Sequence, residues 1–314
     1  MSKLIDVAIR KNYFEDTIVL LGDFNLSGHN LNYVIRVSSY GTRFGENKVR
    51  VYFALLDDTL RQYDEEIIDY SADEVILDEN RLLIRTDKFE IKDVGDEISV
   101  YFNYKTIIFD FNIRFKCEKI QIKRFGKPVE GGKVDTYAYP ECITEGHATT
   151  DDKYHEIHGK LFYVRHAQNF ENILTRKFKI NRAVDVNRPH FMFAFYSLTN
   201  GRRLILGSFT HQDEHIDQLG IMIHMDFHEK DIEPLRKSIT EYMNQENKEG
   251  LILKLNINAF DNRFALKCKT AFNINEGMSP ADLEFTMYDK FVRCGGIYDN
   301  EKVSGYGYMV LFQN

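Results

Sequence analysis

Several residue types that are common in proteins of this size are scarce or missing here. The chain of 314 residues contains no tryptophan and only five prolines, although it has 24 phenylalanines and 18 tyrosines. The missing tryptophan argues against a β-sandwich interaction or carbohydrate-binding module, because the exposed aromatic platforms of such modules often include it. No apolar run approaches the roughly 20 residues of a membrane-spanning helix, so we expect no membrane span.

The charge and the cysteine content exclude further classes of protein. A formal net charge of −7 argues against a broad electrostatic surface for nucleic acid. The four cysteines, Cys117, Cys142, Cys268 and Cys294, are widely spaced and form no CxxC pair. The first residues lack the apolar core of a secretory signal. We therefore expect a cytoplasmic protein with reduced thiols rather than two structural disulfides.

The dominant pattern is an alternation of apolar and polar residues with a period of two. It is typical of strands at residues 50–55, 98–104, 107–115 and 251–257. At least a dozen such segments follow one another, which predicts an all-β chain of antiparallel sandwiches or barrels with little helix. One barrel of this length would be large. We therefore expect two β-domains, residues 1–150 and 151–314, packed tightly together because no proline- or glycine-rich linker separates them.

Two further patterns bear on the organisation of the chain. Residues 24–31 (FNLSGHNL) resemble residues 196–204 (YSLTNGRRL), since both read as an aromatic residue, a strand, a glycine turn and a second strand. The alternative is two unrelated hairpins. One stretch predicts a helix, with Asp231 as its N-cap and Pro234 in its first turn. Its apolar residues at helical spacing are Ile232, Leu235, Ile239 and Met243.

The second half of the chain carries a series of motifs in a recognisable order. They are residues 141–146 (ECITEG), 155–169 (HEIHGKLFYVRHAQN), 193–204 (FAFYSLTNGRRL), 288–293 (YDKFVR) and 303–310 (VSGYGYMV). Their order and spacing resemble the lipocalin-like family that includes carotenoid 1,2-hydratases, AttH-type bacterial proteins and fungal decalin-forming Diels–Alderases. The resemblance implies two lipocalin-like barrels with an apolar ligand pocket in or between them.

The chain departs from the family's pattern at positions that bear on chemistry. His166 lies at the family's motif histidine, but Arg165 replaces the motif's acid and Gln168 replaces its tryptophan. Val310 stands where the family's ending often has an acid. Adding water across an alkene needs a proton donor, usually a carboxylic acid. Hydration is therefore less favoured than other reactions of an apolar ligand.

The candidate site residues come from this polar segment. On a strand, His166 and Gln168 share one face, while Tyr163 and Arg165 share the other. We expect His166 and Gln168 to be catalytic groups that matter more to function than to folding. The expected substrate-binding residues are Tyr163, Arg165, Asn169 and Phe195. The alternative for His166 is a hydrogen-bonded structural role.

Histidine-rich segments offer a competing interpretation as a metal site. Nine of the ten histidines lie between His147 and His228, and His224, Asp226 and His228 would share one strand face. Zinc needs three or four ligands, and a solvated strand face explains the alternation without a metal, so we expect no bound metal. The sequence has no nucleophile elbow, Walker A motif or dinucleotide-binding loop, so we expect no cofactor.

These observations predict a cofactor-independent isomerase or cyclase that acts on an apolar terpenoid, polyene or polyketide. Such a reaction is accelerated by holding the substrate in a reactive conformation while one or two hydrogen-bond donors polarise it. The alternative is a non-catalytic carrier or sensor of a hydrophobic small molecule. In both cases the expected partner is a hydrophobic small molecule.

Overall fold

A computed structural model describes most of the chain. The described residues are 15–26, 28–41, 47–78, 81–95, 97–102, 110–117, 125–129, 132–150, 153–169, 191–199, 201–210, 216–223, 232–234, 239–247, 250–259, 263–270 and 286–313. The chain divides into two compact units, Met1–Glu171 and Asn172–Asn314. Within the described ranges, no helix has the length and apolar character needed to cross a membrane.

Unit 1 is built on one antiparallel sheet. Its strands are β1 (Glu15–Leu26), β2 (His29–Gly41), β3 (Asn47–Asp57), β4 (Gln62–Tyr70), β5 (Ile76–Leu77), β6 (Leu83–Arg85), β7 (Phe89–Asp93), β8 (Glu97–Phe102), β9 (Asp110–Cys117), β10 (Phe125–Val129), β11 (Gly132–Thr150) and β12 (Lys153–Asn169). Their order is β4-β3-β2-β1-β12-β11-β9-β8-β7-β6-β5, and β10 pairs with β11. A short 3₁₀ turn, Ala72–Glu74, follows β4.

The sheet of unit 1 curls around its own core. Phe53 on β3 and Phe102 on β8 stack with ring centroids 5.0 Å apart, although five other strands separate β3 from β8 in the sheet. Alternate residues of several strands, such as Ile18 and Leu20 on β1, join these rings in one buried cluster. The face that carries this cluster is the inner face of the sheet, and the opposite face is its outer face.

Unit 2 repeats this plan with fewer strands. They are β13 (Phe191–Leu198), β14 (Arg203–Thr210), β15 (Ile216–Ile223), β16 (Ile232–Pro234), β17 (Ile239–Asn247), β18 (Gly250–Ala259), β19 (Phe264–Thr270), β20 (Thr286–Tyr298) and β21 (Glu301–Gln313). Their antiparallel order is β16-β15-β14-β13-β21-β20-β19-β18-β17. Leu206 on β14 and Ile257 on β18 belong to one core cluster, so this sheet also curls.

The two similar segments occupy the same place in the two sheets. In each unit the first strand lies between the second strand and the last one, as β1 does between β2 and β12, and β13 between β14 and β21. The hairpin turns contain Gly28 and Gly201, whose φ angles of 87° and 75° lie in the left-handed region that favours glycine. The sequence similarity therefore coincides with two topologically equivalent hairpins.

The expected helix is wrong, because its described residues form two strands. Ile232–Pro234 is β16, and Ile239–Asn247 is β17, which pairs along its whole length with β18. Residues four apart, such as Ile239 and Met243, share a face in a strand as well as in a helix, so this spacing did not separate the two. Pairing with a neighbouring strand then decides the conformation over a weak local preference.

The boundary between the two compact units falls after Glu171. β12 begins at Lys153 and pairs with both β1 and β11. These pairings place β12 in unit 1, which extends to Glu171. The motif at residues 155–169 therefore belongs to the first sheet.

Candidate functional site

A row of polar side chains crosses the outer face of the unit 1 sheet. We call it the transverse polar row, because its members are directly opposed residues on six neighbouring strands. They are Thr136 on β11, His166 on β12, Thr17 on β1, Ser38 on β2, Arg50 on β3 and Asp69 on β4. Val37 and Val49, one position away on β2 and β3, belong to the inner core, so Ser38 and Arg50 face outward.

Hydrogen bonds connect neighbours along this row. His166 Nδ1 lies 2.7 Å from Thr136 Oγ1, and both residues are almost fully buried, with 2% and 1% of their surface exposed. The hydroxyls of Thr17 and Ser38 are 2.6 Å apart.

The far end of the row is a charged pair. The Arg50 Nε and Nη2 atoms donate to the two carboxylate oxygens of Asp69 at 2.7 and 2.8 Å. Arg50 is fully buried, and an arginine in such a position needs a paired carboxylate to offset its desolvation. The row therefore places a titratable imidazole and a fixed cation on the same face.

Apolar side chains border the row on the same face. Phe162 and Val164 precede His166 at alternate positions of β12, and their register partners on β1 are Leu21 and Val19. All four are buried. An apolar surface with a few polar groups at defined positions is the usual composition of a small-molecule site.

A second polar network adjoins the row where β3 pairs with β4. The Tyr52 hydroxyl donates to Glu65 Oε2 at 2.9 Å, and the Tyr63 hydroxyl donates to the same oxygen. Burial raises the pKa of Tyr63 well above its ordinary value, and the nearby Glu65 charge adds to the effect. Tyr63 therefore remains a proton donor at neutral pH.

The structure places two expected substrate-binding residues on the inner face. Arg165 Nε and Nη2 donate to the carboxylate of Asp16 at 2.9 and 2.5 Å. Both residues are buried, with 2% and 5% of their surface exposed. Tyr163 packs in the core against Tyr139, with ring centroids 5.6 Å apart. Arg165 and His166 therefore point to opposite faces of β12, and this segment does not converge on one site.

The structure describes only the backbones of two further expected residues, Gln168 and Asn169, and it places a third, Phe195, in the other unit. The backbone of Gln168 pairs with Val134 and Glu15, and its position in β12 puts it on the same face as His166. The side chains of Gln168 and Asn169 lie outside the described residues. Phe195 lies in unit 2, where it is buried on β13.

Phe195 belongs to a small buried group of its own. Its ring lies parallel to that of Tyr308, with centroids 6.4 Å apart. The Tyr308 hydroxyl donates to Asp289 Oδ1, and Asp289 is itself buried. This group combines an aromatic surface with a carboxyl group.

Several residues of these networks were not predicted as site residues. Asp289 and Tyr308 lie within the motifs YDKFVR and VSGYGYMV, so the motifs already pointed to them. Asp16 is 149 positions from Arg165 in the sequence, and no local pattern marks it. The two threonines and the serine of the polar row can be recognised only when the strand register is known.

The metal interpretation is not tested by the structure. His224, Asp226 and His228 lie outside the described residues. Among the residues that are described, no group of three or more His, Cys, Asp or Glu side chains is arranged to hold a metal ion.

Comparison with known proteins defines the class of the fold. The all-β prediction and the resemblance to lipocalin-like proteins are confirmed at the level of the fold. An AttH-like protein from Nitrosomonas europaea superposes with a TM-score of 0.69 at 11% identity, covering 99% of this chain and 96% of that chain. Kievitone hydratase from Nectria haematococca gives 0.63 at 13% identity, covering 95% and 89%. No family model and no curated protein matches the sequence.

Proposed function

We propose that the protein is a cofactor-independent isomerase or cyclase that acts on an apolar terpenoid, polyene or polyketide. The observation that carries this proposal is the transverse polar row beside the apolar strip of Phe162 and Val164. The apolar strip contributes affinity for a hydrocarbon skeleton, and the row contributes the few polar groups that orient it.

In this proposal His166 is the group that moves a proton. Imidazole titrates near neutral pH, so it can accept a proton from one atom of a conjugated substrate and return it to another. The hydrogen bond between Nδ1 and Thr136 fixes the orientation of the ring and hence the direction of Nε2. Such a transfer changes no atom count, which is what isomerisation and cyclisation require. Gln168, on the same face, is the proposed second donor that polarises the substrate.

Of the other expected substrate-binding residues, Tyr163 and Arg165 lie on the inner face of β12, opposite to His166, and Phe195 lies in unit 2, so this proposal does not place them in contact with the substrate. Of these, Arg165 is engaged with Asp16, so we assign it the role of holding β12 against β1 while the outer face meets the substrate. One structural neighbour is a hydratase of kievitone by name. Hydration and simple transport of the ligand are therefore the two outcomes that the experiment must separate from isomerisation.

The experiment begins with mass spectrometry of small molecules extracted from the protein after expression in its own organism. The compound recovered is then incubated with purified protein. A product of unchanged mass but altered chromatographic retention supports isomerisation or cyclisation. A gain of one water molecule identifies a hydratase, and an unchanged compound identifies a carrier.

Variants then assign the residue. His166→Gln should lower turnover by about 10²–10³-fold, the range for removal of a single stabilising group in an active site. His158→Gln is the matched control, because His158 lies on the same face of β12 and is exposed. Equal loss of activity in both variants would contradict the assignment of His166.

A further inference from the structure

Two cysteines that are far apart in sequence are opposed in the core of unit 2. Cys268 on β19 and Cys294 on β20 are direct register partners. Both belong to the inner core cluster, so they share one face of the sheet, and only 3% and 7% of their surfaces are exposed. Both are free thiols. Directly opposed residues of antiparallel strands have Cα atoms about 4.5–5.5 Å apart, within the distances that disulfides span.

The two thiols interact with each other. A hydrogen bond with Cys268, together with burial, raises the pKa of the Cys294 thiol well above its ordinary value. Tyr196 lies beside both sulfur atoms, and burial raises the pKa of its phenol. The two thiols are therefore neighbours in the core, and the Cys294 thiol is protonated at neutral pH.

The other two cysteines repeat this arrangement in unit 1. The backbones of Cys117 on β9 and Cys142 on β11 are also direct register partners. The strand orders β1-β12-β11-β9 and β13-β21-β20-β19 show that both pairs lie on the corresponding strands of their sheets. All four cysteines of the chain thus fall into two opposed pairs.

We propose that Cys268 and Cys294 form a reversible dithiol–disulfide site that is oxidised by a low-molecular-weight disulfide such as glutathione disulfide. The thiolate of one cysteine attacks the glutathione disulfide, forming a mixed disulfide and releasing one glutathione. The second cysteine then attacks the mixed disulfide at the protein sulfur and releases the second glutathione. Two electrons pass from the protein to glutathione, and the two thiol protons end on the released glutathiones or in solvent.

The chemistry of the pair sets its response to pH. Only the thiolate attacks a disulfide, and the raised pKa of Cys294 lowers the thiolate fraction near neutral pH. Formation of the bond should therefore be slow at pH 7 and faster as the pH rises. Once formed, the bond covalently joins β19 to β20 and closes the chain between them.

The experiment uses the full-length protein, reduced and then incubated with glutathione disulfide at several pH values. Digestion with trypsin without reduction places each cysteine in its own peptide, Cys268–Lys269 and Cys294–Lys302. We expect a cross-linked pair of these peptides that disappears after reduction, and whose rate of formation rises with pH. Oxidation should also raise the Tm by roughly 5–15 °C.

Cys268→Ser and Cys294→Ser should each abolish the cross-link. Treatment of either variant with glutathione disulfide should therefore not produce the increase in Tm that the cross-link causes in the wild type. The wild-type digest decides the question even when a variant fails to fold. Unmodified thiols in the folded protein, or a stable glutathione adduct on either cysteine without the cross-link, would overturn the proposal. The result does not depend on the proposed enzymatic function, because no substrate is involved.

Discussion

The two units share a strand plan but bury different chemistry. In both, the first strand lies between the second and the last, and a glycine turn closes the first hairpin. Unit 1 buries an arginine–aspartate pair on its inner face, and the transverse polar row crosses its outer face. Unit 2 buries two thiols inside and the Tyr308–Asp289 bond on its outer face. The comparison shows that one topology accepts unrelated polar groups, so the function must be argued from the groups and not from the fold.

The largest expected effect comes from breaking the buried Arg165–Asp16 ion pair of unit 1. Arg165→Met leaves Asp16 buried without its guanidinium, which should cost about 3–5 kcal/mol of unfolding free energy. Chemical denaturation measures this loss. Lys160→Met is the control, because the Lys160–Glu141 pair is partly exposed and should contribute about 0–1 kcal/mol. Similar losses in both variants would show that burial does not distinguish the pairs.

The next effect tests the feature that both units share. A Cβ on Gly159 would lie 1.9 Å from the Asp23 carbonyl oxygen, and one on Gly305 would lie 2.0 Å from that of Ser197. Gly159→Ala and Gly305→Ala should therefore each cost about 3 kcal/mol through overpacking, seen as a lower Tm. At Gly295 the nearest atom is 3.8 Å away, so Gly295→Ala should change the Tm far less. If Gly159→Ala left the Tm unchanged while Gly305→Ala lowered it, these two positions would not be equivalent in the two units.

A smaller effect is expected from the polar row itself. His166→Phe leaves the buried Thr136 hydroxyl without its imidazole partner, which should cost about 1–3 kcal/mol. We therefore expect His166 to contribute to folding as well as to the proposed chemistry. Removing both partners in His166→Phe with Thr136→Val should cost less than the sum of the single changes, because neither group is then left behind. Thermal unfolding of the four proteins completes the cycle. If the losses of stability in the two single variants added up to the loss in the double variant, the 2.7 Å contact between His166 and Thr136 would contribute nothing to stability.

The smallest effect concerns Asp57 at the end of β3 in unit 1. Burial raises the pKa of Asp57, but hydrogen bonds from the Leu60 amide and from His29 outweigh it and hold the pKa below its ordinary value. A lowered carboxyl pKa stabilises the fold above the unfolded pKa of about 3.9, and this contribution is lost as the pH falls through the folded pKa. Asp57→Asn should therefore cost about 0.5–1 kcal/mol at pH 7.

Denaturation of wild type and Asp57→Asn across pH 2–7 checks this prediction. The difference between the two proteins should shrink as the pH falls below about 4. A difference that stays constant over the whole range would show that the charge of Asp57 is not the source of the effect.

The sequence determined the class of the fold and the strand faces on which some candidate residues lie. Alternation with a period of two is a local property of each strand, so the all-β prediction needed no tertiary information. The same alternation placed His166 and Arg165 on opposite faces of β12, as the hydrogen bonds of the two residues show. The motifs YDKFVR and VSGYGYMV contain the buried Asp289 and Tyr308.

Tertiary structure alone decided which strands are neighbours and in what register. The spacing of Ile239 and Met243 suits a helix and a strand equally, and only the pairing of β17 with β18 chose between them. Other contacts also depend on the pairing of segments that are distant in the sequence. Pairing of β12 with β11 and β1 brings Thr136 and Thr17 next to His166 and Asp16 next to Arg165. Pairing of β19 with β20 brings Cys268 opposite Cys294. Such contacts arise because each strand satisfies its backbone hydrogen bonds on a neighbour, and the local pattern of a segment does not specify which neighbour that is.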